Sequence, residues 1–303
     1  MPVQCRGPHP QCGGHPAHRD IGQPVGAQDL QSAPDEIVHH DRDRCFPRDH
    51  GNIITMTIAF DQLCVRVDAP GESSGQAQLL TDITAELDAP RIAIIGENGS
   101  GKSTLARVLA GLLGYTSGAA TVNGHLVSQG PGKPKMAPGL RGRIGMIFPQ
   151  AATQVVMPTV EEDIALSLRG SGLSKDEMTA RVQAAMEAHH LTELADRPCL
   201  SLSSGQLQRL ALCSVLITEP QLVIADEPTS MLDTRHALLV RRRLLHLPRE
   251  TQLVLVTHDL DFATACDDCL WIHQGRLREH GRPRTVVENY LDFIHSEIDQ
   301  ERI

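Results

Sequence analysis

No apolar run in this chain is long enough to cross a bilayer. The longest, such as LALCSVLI from Leu210 to Ile217, fall well short of the roughly 20 residues that a spanning helix needs. The N-terminus has no apolar core of a signal peptide. Both absences predict a cytosolic chain whose membrane business is done through a partner. A basic excess is missing too: the formal net charge is −9, whereas a general nucleic-acid binder carries a basic face. No nucleic-acid partner is therefore expected. The eight cysteines are scattered, which in a cytosolic chain predicts free thiols rather than a disulfide framework. Cys266 and Cys269 have CxxC spacing, with no second pair and no thioredoxin-like context, so they are expected to pack at a helix-to-strand junction.

What is present is substantial. The chain has 303 residues, 41% of them hydrophobic, which allows one large α/β unit with an inserted subdomain. Residues 1–55 differ from the rest, being rich in Pro, Gly, His, Asp and Arg and without periodicity. Disorder is expected there, or an over-extended reading of the gene, since Met56 opens the first strand pattern, MTIAFDQLCVRV. Cys5, Cys12, His15 and His18 follow C-x6-C-x2-H-x2-H, which fits no common zinc spacing.

From Met56 onward strand-like and helical runs alternate. Strands are expected at Thr57–Val67, Arg91–Ile95, Thr121–Leu126, Arg143–Phe148, Gln221–Ala225 and Leu253–Thr257, with a loop at Glu72–Gln76. Helices are expected at about Lys102–Leu112, Val160–Leu168, Lys175–Ala188 and Gln206–Ile217. TVEE at Thr159–Glu162 and SKDE at Ser174–Glu177 are capping boxes that start two of these helices. The alternation implies a mainly parallel sheet with a helical insertion. The expected division is a core over 56–148 and 199–290, an insertion over 149–198 and a tail over 291–303.

IIGENGSGKST carries the strict G-x-x-x-x-G-K-[ST] pattern at Gly96, Gly101, Lys102 and Ser103, between a strand and a helix. Its glycines let backbone N–H groups wrap phosphates, and the helix N-terminus adds partial positive charge. Lys102 is suited to reach the β and γ phosphates and Ser103 to give a hydroxyl to Mg²⁺. Further along, QLVIADEPTSMLD ends an apolar strand on Asp226, where open α/β sheets bind ligands. Asp226 is positioned to hold Mg²⁺ or its water, and Glu227 to orient and deprotonate an attacking water. LVLVTHD then delivers His258 to contact the γ-phosphate and position that water.

LSLSSGQLQRLAL lies between these motifs, and here the sequence resembles the ATP-binding-cassette ATPases. Leu202, Ser203, Ser204, Gly205 and Gln206 resemble the family signature LSGGQ, with serine for its first glycine. With Walker A at 96–103, Walker B at 222–227, SxLD at Ser230–Asp233 and the switch histidine at 258, the resemblance covers roughly residues 56–290. It implies an α/β fold: a RecA-like P-loop core with a mainly parallel sheet, an antiparallel β part and an inserted α-helical subdomain. It also implies ATP and Mg²⁺, with Gly96, Glu97, Asn98, Gly99, Ser100, Gly101, Lys102, Ser103 and Thr104 on the nucleotide. A second copy, or a paralogous ATPase, would face it head to tail. Ser203, Gly205 and Gln206 would then bind ATP held by that partner, and Asp233 would join the two sites. The usual adenine-stacking aromatic is replaced by Val67, so aliphatic packing or another residue must serve.

FPQAATQVVMPTVEEDIALSL, from Phe148, resembles the energy-coupling-factor ATPases, whose pattern is similar to FQNPDDQ-hydrophobic-PTVEEDVAFGL. Within that group QVVMP and IGENGSGKSTLARVLAGL are most similar to the ATPases of biotin uptake systems. The resemblance implies a transmembrane coupling protein and a substrate-binding membrane protein as partners, at the cytoplasmic face of the membrane. Biotin import is favoured, with cobalt or nickel ions or another vitamin as alternatives. Cassette ATPases of DNA repair or translation usually carry two cassettes, long coiled coils, zinc modules or basic surfaces, which are not apparent here. In the family a glutamine directly follows the phenylalanine and senses Mg²⁺ and water. Pro149 holds that place here, and Gln150 is the expected sensor because proline offers no side-chain donor or acceptor. Gln154 and VVMP are expected to dock the membrane partner.

Overall fold

A computed structural model of the protein describes residues 56–69, 75–128 and 136–301. The N-terminal cysteines and histidines, the region before Met56 and the first residues of the Glu72–Gln76 loop lie outside them. Two long antiparallel strands come first, β1 (Ile58–Asp68) and β2 (Gln76–Leu87). The phosphate-loop strand β3 (Arg91–Ile95) and helix α1 (Lys102–Leu109) follow. β4 (Ser117–Val122) and β5 (His125–Leu126) then join β1 and β2 in a four-stranded antiparallel sheet ordered β2-β1-β4-β5. β6 (Ile144–Ile147) leads into a helical stretch of α2 (Val160–Ser167), α3 (Lys175–Ala188) and α4 (Ser204–Leu216). The chain closes with β7 (Leu222–Asp226), α5 (Thr234–Leu245), β8 (Gln252–Val256), α6 (Leu260–Thr264), β9 (Asp268–His273), β10 (Arg276–Gly281) and α7 (Pro283–Glu301).

The second sheet has six strands in the order β10-β9-β3-β8-β7-β6, parallel except for β10. Every residue of β3, β7 and β8 is buried, as expected of central parallel strands covered on both faces. Their side chains alternate between two cores. Ile92, Ile94, Leu222, Ile224, Val254 and Val256 point to the core shared with α1 and the antiparallel sheet. Ala93, Ile95, Val223, Ala225, Leu253 and Leu255 point to the core under α5, α6 and α7. The helical stretch keeps a third core of its own, built on Val160, Ile164, Val182, Met186 and Leu210. Both expected capping boxes form: Thr159 N donates to Glu162 Oε2 at 3.3 Å, and Ser174 N donates to Glu177 Oε2 at 2.8 Å while Glu177 N donates to Ser174 Oγ at 3.3 Å.

Four differences from the sequence reading have local causes. β2 escapes period-2 reading because Asp82 takes φ 54° at a register shift, so that Leu80 and Ile83, three apart, are both buried. The strand expected at 121–126 is a tight hairpin, β4 and β5, turning at Asn123 (φ 50°) and Gly124 (φ 72°). α1 stops at Leu109 because Gly111 turns left-handed at φ 67°. The boundary placed at 290 falls inside α7, where Val286 and Val287 are buried in the second core and the same helix runs on to Glu301.

Candidate nucleotide site

The phosphate loop leaves the buried end of β3 and turns into α1. Gly96 sits at φ 142° with its Cα against β9, and an added Cβ would lie 2.0 Å from the Ile272 carbonyl oxygen. Glycine is the only residue that fits. Lys102 is 6% exposed, and its Nζ donates to the carbonyls of Gly96 at 2.8 Å and Glu97 at 2.7 Å. Burial pulls its proton affinity down, while Glu227, Asp226 and Glu97 pull it up. A cation is thereby held at the centre of a loop whose first helical N–H groups lack intrahelical partners. Asn98 and Gly99 form the exposed tip, and Ser103 and Thr104 are half-buried on the first turn of α1. The Ser100 hydroxyl is buried without a hydrogen-bond partner. Glu97 Oε2 lies 3.2 Å from His273 Nδ1 on β9.

β7 carries Asp226 to the same edge of the sheet, fully buried. Its Oδ1 accepts from Ser103 Oγ at 2.8 Å, while its Oδ2 is buried with no partner. Burial raises its proton affinity, against the Ser103 hydrogen bond and the charges of Arg107 and Lys102. An orphaned carboxylate oxygen beside a hydroxyl is a donor set that suits Mg²⁺, a hard cation that takes few protein oxygens and completes its shell with phosphate and water. Glu227 follows at φ 48°, a left-handed conformation that costs a non-glycine residue about 1–3 kcal/mol and clusters at functional sites. Its N–H donates to Val256 O on β8 at 2.9 Å. The twist aims the carboxylate at His258, whose Nδ1 lies 2.7 Å from Glu227 Oε2.

The signature residues lie apart from this edge, at the start of α4. Ser203 and Gln206 form a third capping box: Ser203 N donates to Gln206 Oε1 at 2.9 Å, and Gln206 N to Ser203 Oγ at 3.3 Å. Gly205 packs against the His236 ring, which an added Cβ would meet at 2.5 Å. His236 is held in turn by Asp233, 2.6 Å from its Nδ1. Asp233, expected to act between subunits, thus also caps α5 within its own chain by accepting from His236 N at 3.0 Å. The Ser230 hydroxyl donates to Glu227 O at 3.1 Å. Among the described residues no hydrogen bond joins the signature residues to the phosphate loop.

Gln150 is exposed, and its carbonyl accepts from Thr153 Oγ1 at 2.8 Å. Gln154 differs from expectation. Its side chain turns back on the end of β6, donating to Met146 O at 3.1 Å and accepting from Phe148 N at 3.3 Å. Val155 packs on the helical core, so Val156, at 73% exposure, is the outward apolar residue of this segment. Cys266 and Cys269 are buried in the second core, and burial pushes the Cys266 thiol up to about 12. Among the described residues no helix is long and apolar enough to cross a membrane. The strained backbone of Glu227, the His273–Glu97 contact and the buried Asp163 had no signal in the sequence, because each depends on strands or helices far apart in the chain.

This fold and edge define a P-loop ATPase with an adjacent acid pair and a histidine. The family described as "ABC transporter" matches residues 80–230. The energy-coupling factor transporter ATP-binding protein EcfA1 of Levilactobacillus brevis is 38% identical over 245 residues, covering 80% of this chain and 84% of that protein. The biotin transport ATP-binding protein BioM of Rhizobium etli is 38% identical over 229 residues, covering 76% and 98%. Among solved structures, cbiO1 from Clostridium perfringens, part of the ABC transporter complex cbiONQ, superposes with a TM-score of 0.64 at 27% identity, covering 77% of this chain and 92% of that one. The ATP-binding cassette MJ0796, a dimer bound to ADP and Pi, shares the fold at a TM-score of 0.65 and 22% identity, over 75% and 99%. The chain belongs to the ATP-binding subunits of ABC transporters, of the energy-coupling-factor type, and is an ATPase.

Proposed function

We propose that this ATPase powers import of a vitamin or metal ion, with biotin favoured, as the ATP-hydrolysing subunit of an energy-coupling-factor transporter. The observation that carries the chemistry is the Glu227–His258 pair, 2.7 Å apart beside the phosphate loop. Glu227 accepts the proton of the attacking water, and His258 orients both the carboxylate and that water. Lys102 and the loop N–H groups bind the β and γ phosphates. Ser103 and Asp226 would hold Mg²⁺, which when bound would supply positive charge against the phosphates. Gln150 acts as the sensor of ion and water through movement of its exposed loop. Two copies, or this chain and a paralogue, face head to tail, so that Ser203, Gly205 and Gln206 of one bind nucleotide held by the other. Closure with ATP and opening after hydrolysis deliver the stroke.

The import reading is supported by the biotin transport relative, almost all of whose length this chain matches. Val156 offers an apolar contact to a transmembrane coupling protein, which would place the chain at the cytoplasmic face of the membrane beside a substrate-binding membrane protein. Uptake in cells co-expressing the chain with the membrane proteins encoded beside it tests this. Accumulation of labelled biotin, lost when Glu227→Gln is substituted, is the expected result. Accumulation of cobalt, nickel or another vitamin instead would reassign the substrate, and no nucleotide-dependent uptake of any of them would refute the import reading.

A further inference from the structure

We propose that the Asp163 carboxylate and the Ser214 hydroxyl form a relay between the segment carrying Val156 and the signature helix, acting as positioning residues in the ATPase cycle. Asp163 lies in the first turn of α2 and is 5% exposed. Its Oδ1 accepts from the N–H groups of Val156 at 2.8 Å and Met157 at 3.0 Å. Its Oδ2 accepts from Ser214 Oγ at 3.2 Å. Ser214 belongs to α4, the helix that opens on Ser204 and Gly205. One buried carboxylate thus joins two amides of an exposed loop to the helix that presents the signature. A carboxylate removed from water needs these donors, because leaving it unpaired costs several kcal/mol.

A second set of bonds ties the same segment to the chain just before the signature. Cys199 N donates to Pro158 O at 2.8 Å, Val160 N to Arg197 O at 3.3 Å and Glu161 N to Ala195 O at 3.0 Å. Thr159 and Pro198 pair as an isolated bridge. Residues 199–201 then run through one short turn into Leu202, which packs in the same core as Val155, Leu210 and Cys213. The start of α4 is therefore linked through backbone and its far half through Ser214. Packed elements of this kind shift as units rather than deform. A push on Val156 moves the signature, and by reciprocity a clamp on the signature tightens the hold on the amides of Val156 and Met157.

The relay rests on the head-to-tail reading of the dimer, and the test separates the two. In the full chain carrying Glu227→Gln, with ATP and Mg²⁺, sedimentation reports dimer formation and amide hydrogen exchange reports the hold on residues 156 and 157. ATP is expected to slow exchange at these amides by about tenfold, the scale of one charge-assisted hydrogen bond. Adding Ser214→Ala leaves both amide bonds to Asp163 and is expected to cut that ATP-linked slowing to less than about twofold, with dimerisation and ATP binding retained. Ser214→Thr, which keeps the hydroxyl, restores it. Slowing that persists in the alanine variant, or fails to return in the threonine variant, overturns the relay alone. Absence of an ATP-dependent dimer in Glu227→Gln overturns the head-to-tail reading and the relay with it.

Discussion

Acid should loosen this protein through His189, the residue that closes α3. Its ring is buried at 9% exposure, and Nε2 lies 3.1 Å from Nη2 of Arg243 on α5. Arginine can only donate, so Nε2 is the acceptor and the imidazole is neutral. Burial, with the charges of Arg243, His190 and Arg209, lowers its pKa from 6.5 to about 3. The unfolded chain takes up that proton near the ordinary value and the folded chain does not. The contribution to stability is therefore fully present above 6.5 and is lost progressively as pH falls towards 3. The loss is about 1.4 kcal/mol at about pH 5.5 and about 2.7 kcal/mol at about pH 4.5. Urea unfolding at several pH values, in the parent and in His189→Gln, measures it, because the other titrating groups cancel in the difference. The stability gap between the two should narrow by these amounts on acidification. A gap that stays constant with pH would refute the neutral, buried assignment. The bond also joins the helical stretch to α5, so α3 should be among the first elements to gain amide exchange in acid.

Glu227→Gln should retain ATP binding while turnover falls by roughly 10² or more, since the positioned base is lost; near-normal phosphate release would contradict its role. Lys102→Ala should weaken nucleotide binding itself, and an unchanged ATP affinity in calorimetry would count against the phosphate-loop assignment. Asp226→Asn separates stability from function. Burial raises the proton affinity of Asp226, so its stabilising protonation is present at acid pH and lost as pH rises through the raised value. The neutral variant should then be the more stable at neutral pH, read as a higher Tm, with Mg²⁺-dependent hydrolysis abolished. A lower melting temperature for this variant would show that the carboxylate is satisfied within the fold. Arg91 donates to the carbonyls of Pro90, Leu245, Leu247, Pro248 and Thr251, closing the connection from α5 to β8. Arg91→Ala should cost about 1–3 kcal/mol by stranding the buried Leu247 carbonyl, and an unchanged denaturation midpoint would argue otherwise.

Local physics made much of this molecule legible in its sequence. β3, β7 and β8 read as strands because all-buried parallel strands are short, continuous apolar runs bounded by turns. The helices of the insertion announced their starts, since Ser174 and Thr159 satisfy the first N–H groups together with Glu177 and Glu162 three residues on. The phosphate loop was equally plain, its glycines, lysine and serine being adjacent in the chain. β2 was not, because a register shift at Asp82 moves its buried residues out of phase. Gln154 misled for a related reason: a polar side chain beside apolar neighbours suggested a surface, yet the end of β6 leaves a carbonyl and an N–H that it serves.

By itself the sequence determined the phosphate-loop, acid-pair and signature motifs, the strands and helices that carry them, and the family, because each resides in a few neighbouring positions. The pairing of distant groups was left to the tertiary structure. β7 and β8 are parallel neighbours, and that register brings Glu227 to His258, thirty-one positions apart. The turn of α4 against α2 sets Ser214 on Asp163, and burial raises the proton affinity of Asp226 and keeps His189 neutral. These are consequences of packing: a carboxylate or imidazole changes its chemistry with the dielectric and the partners around it, which no stretch of neighbouring residues can specify.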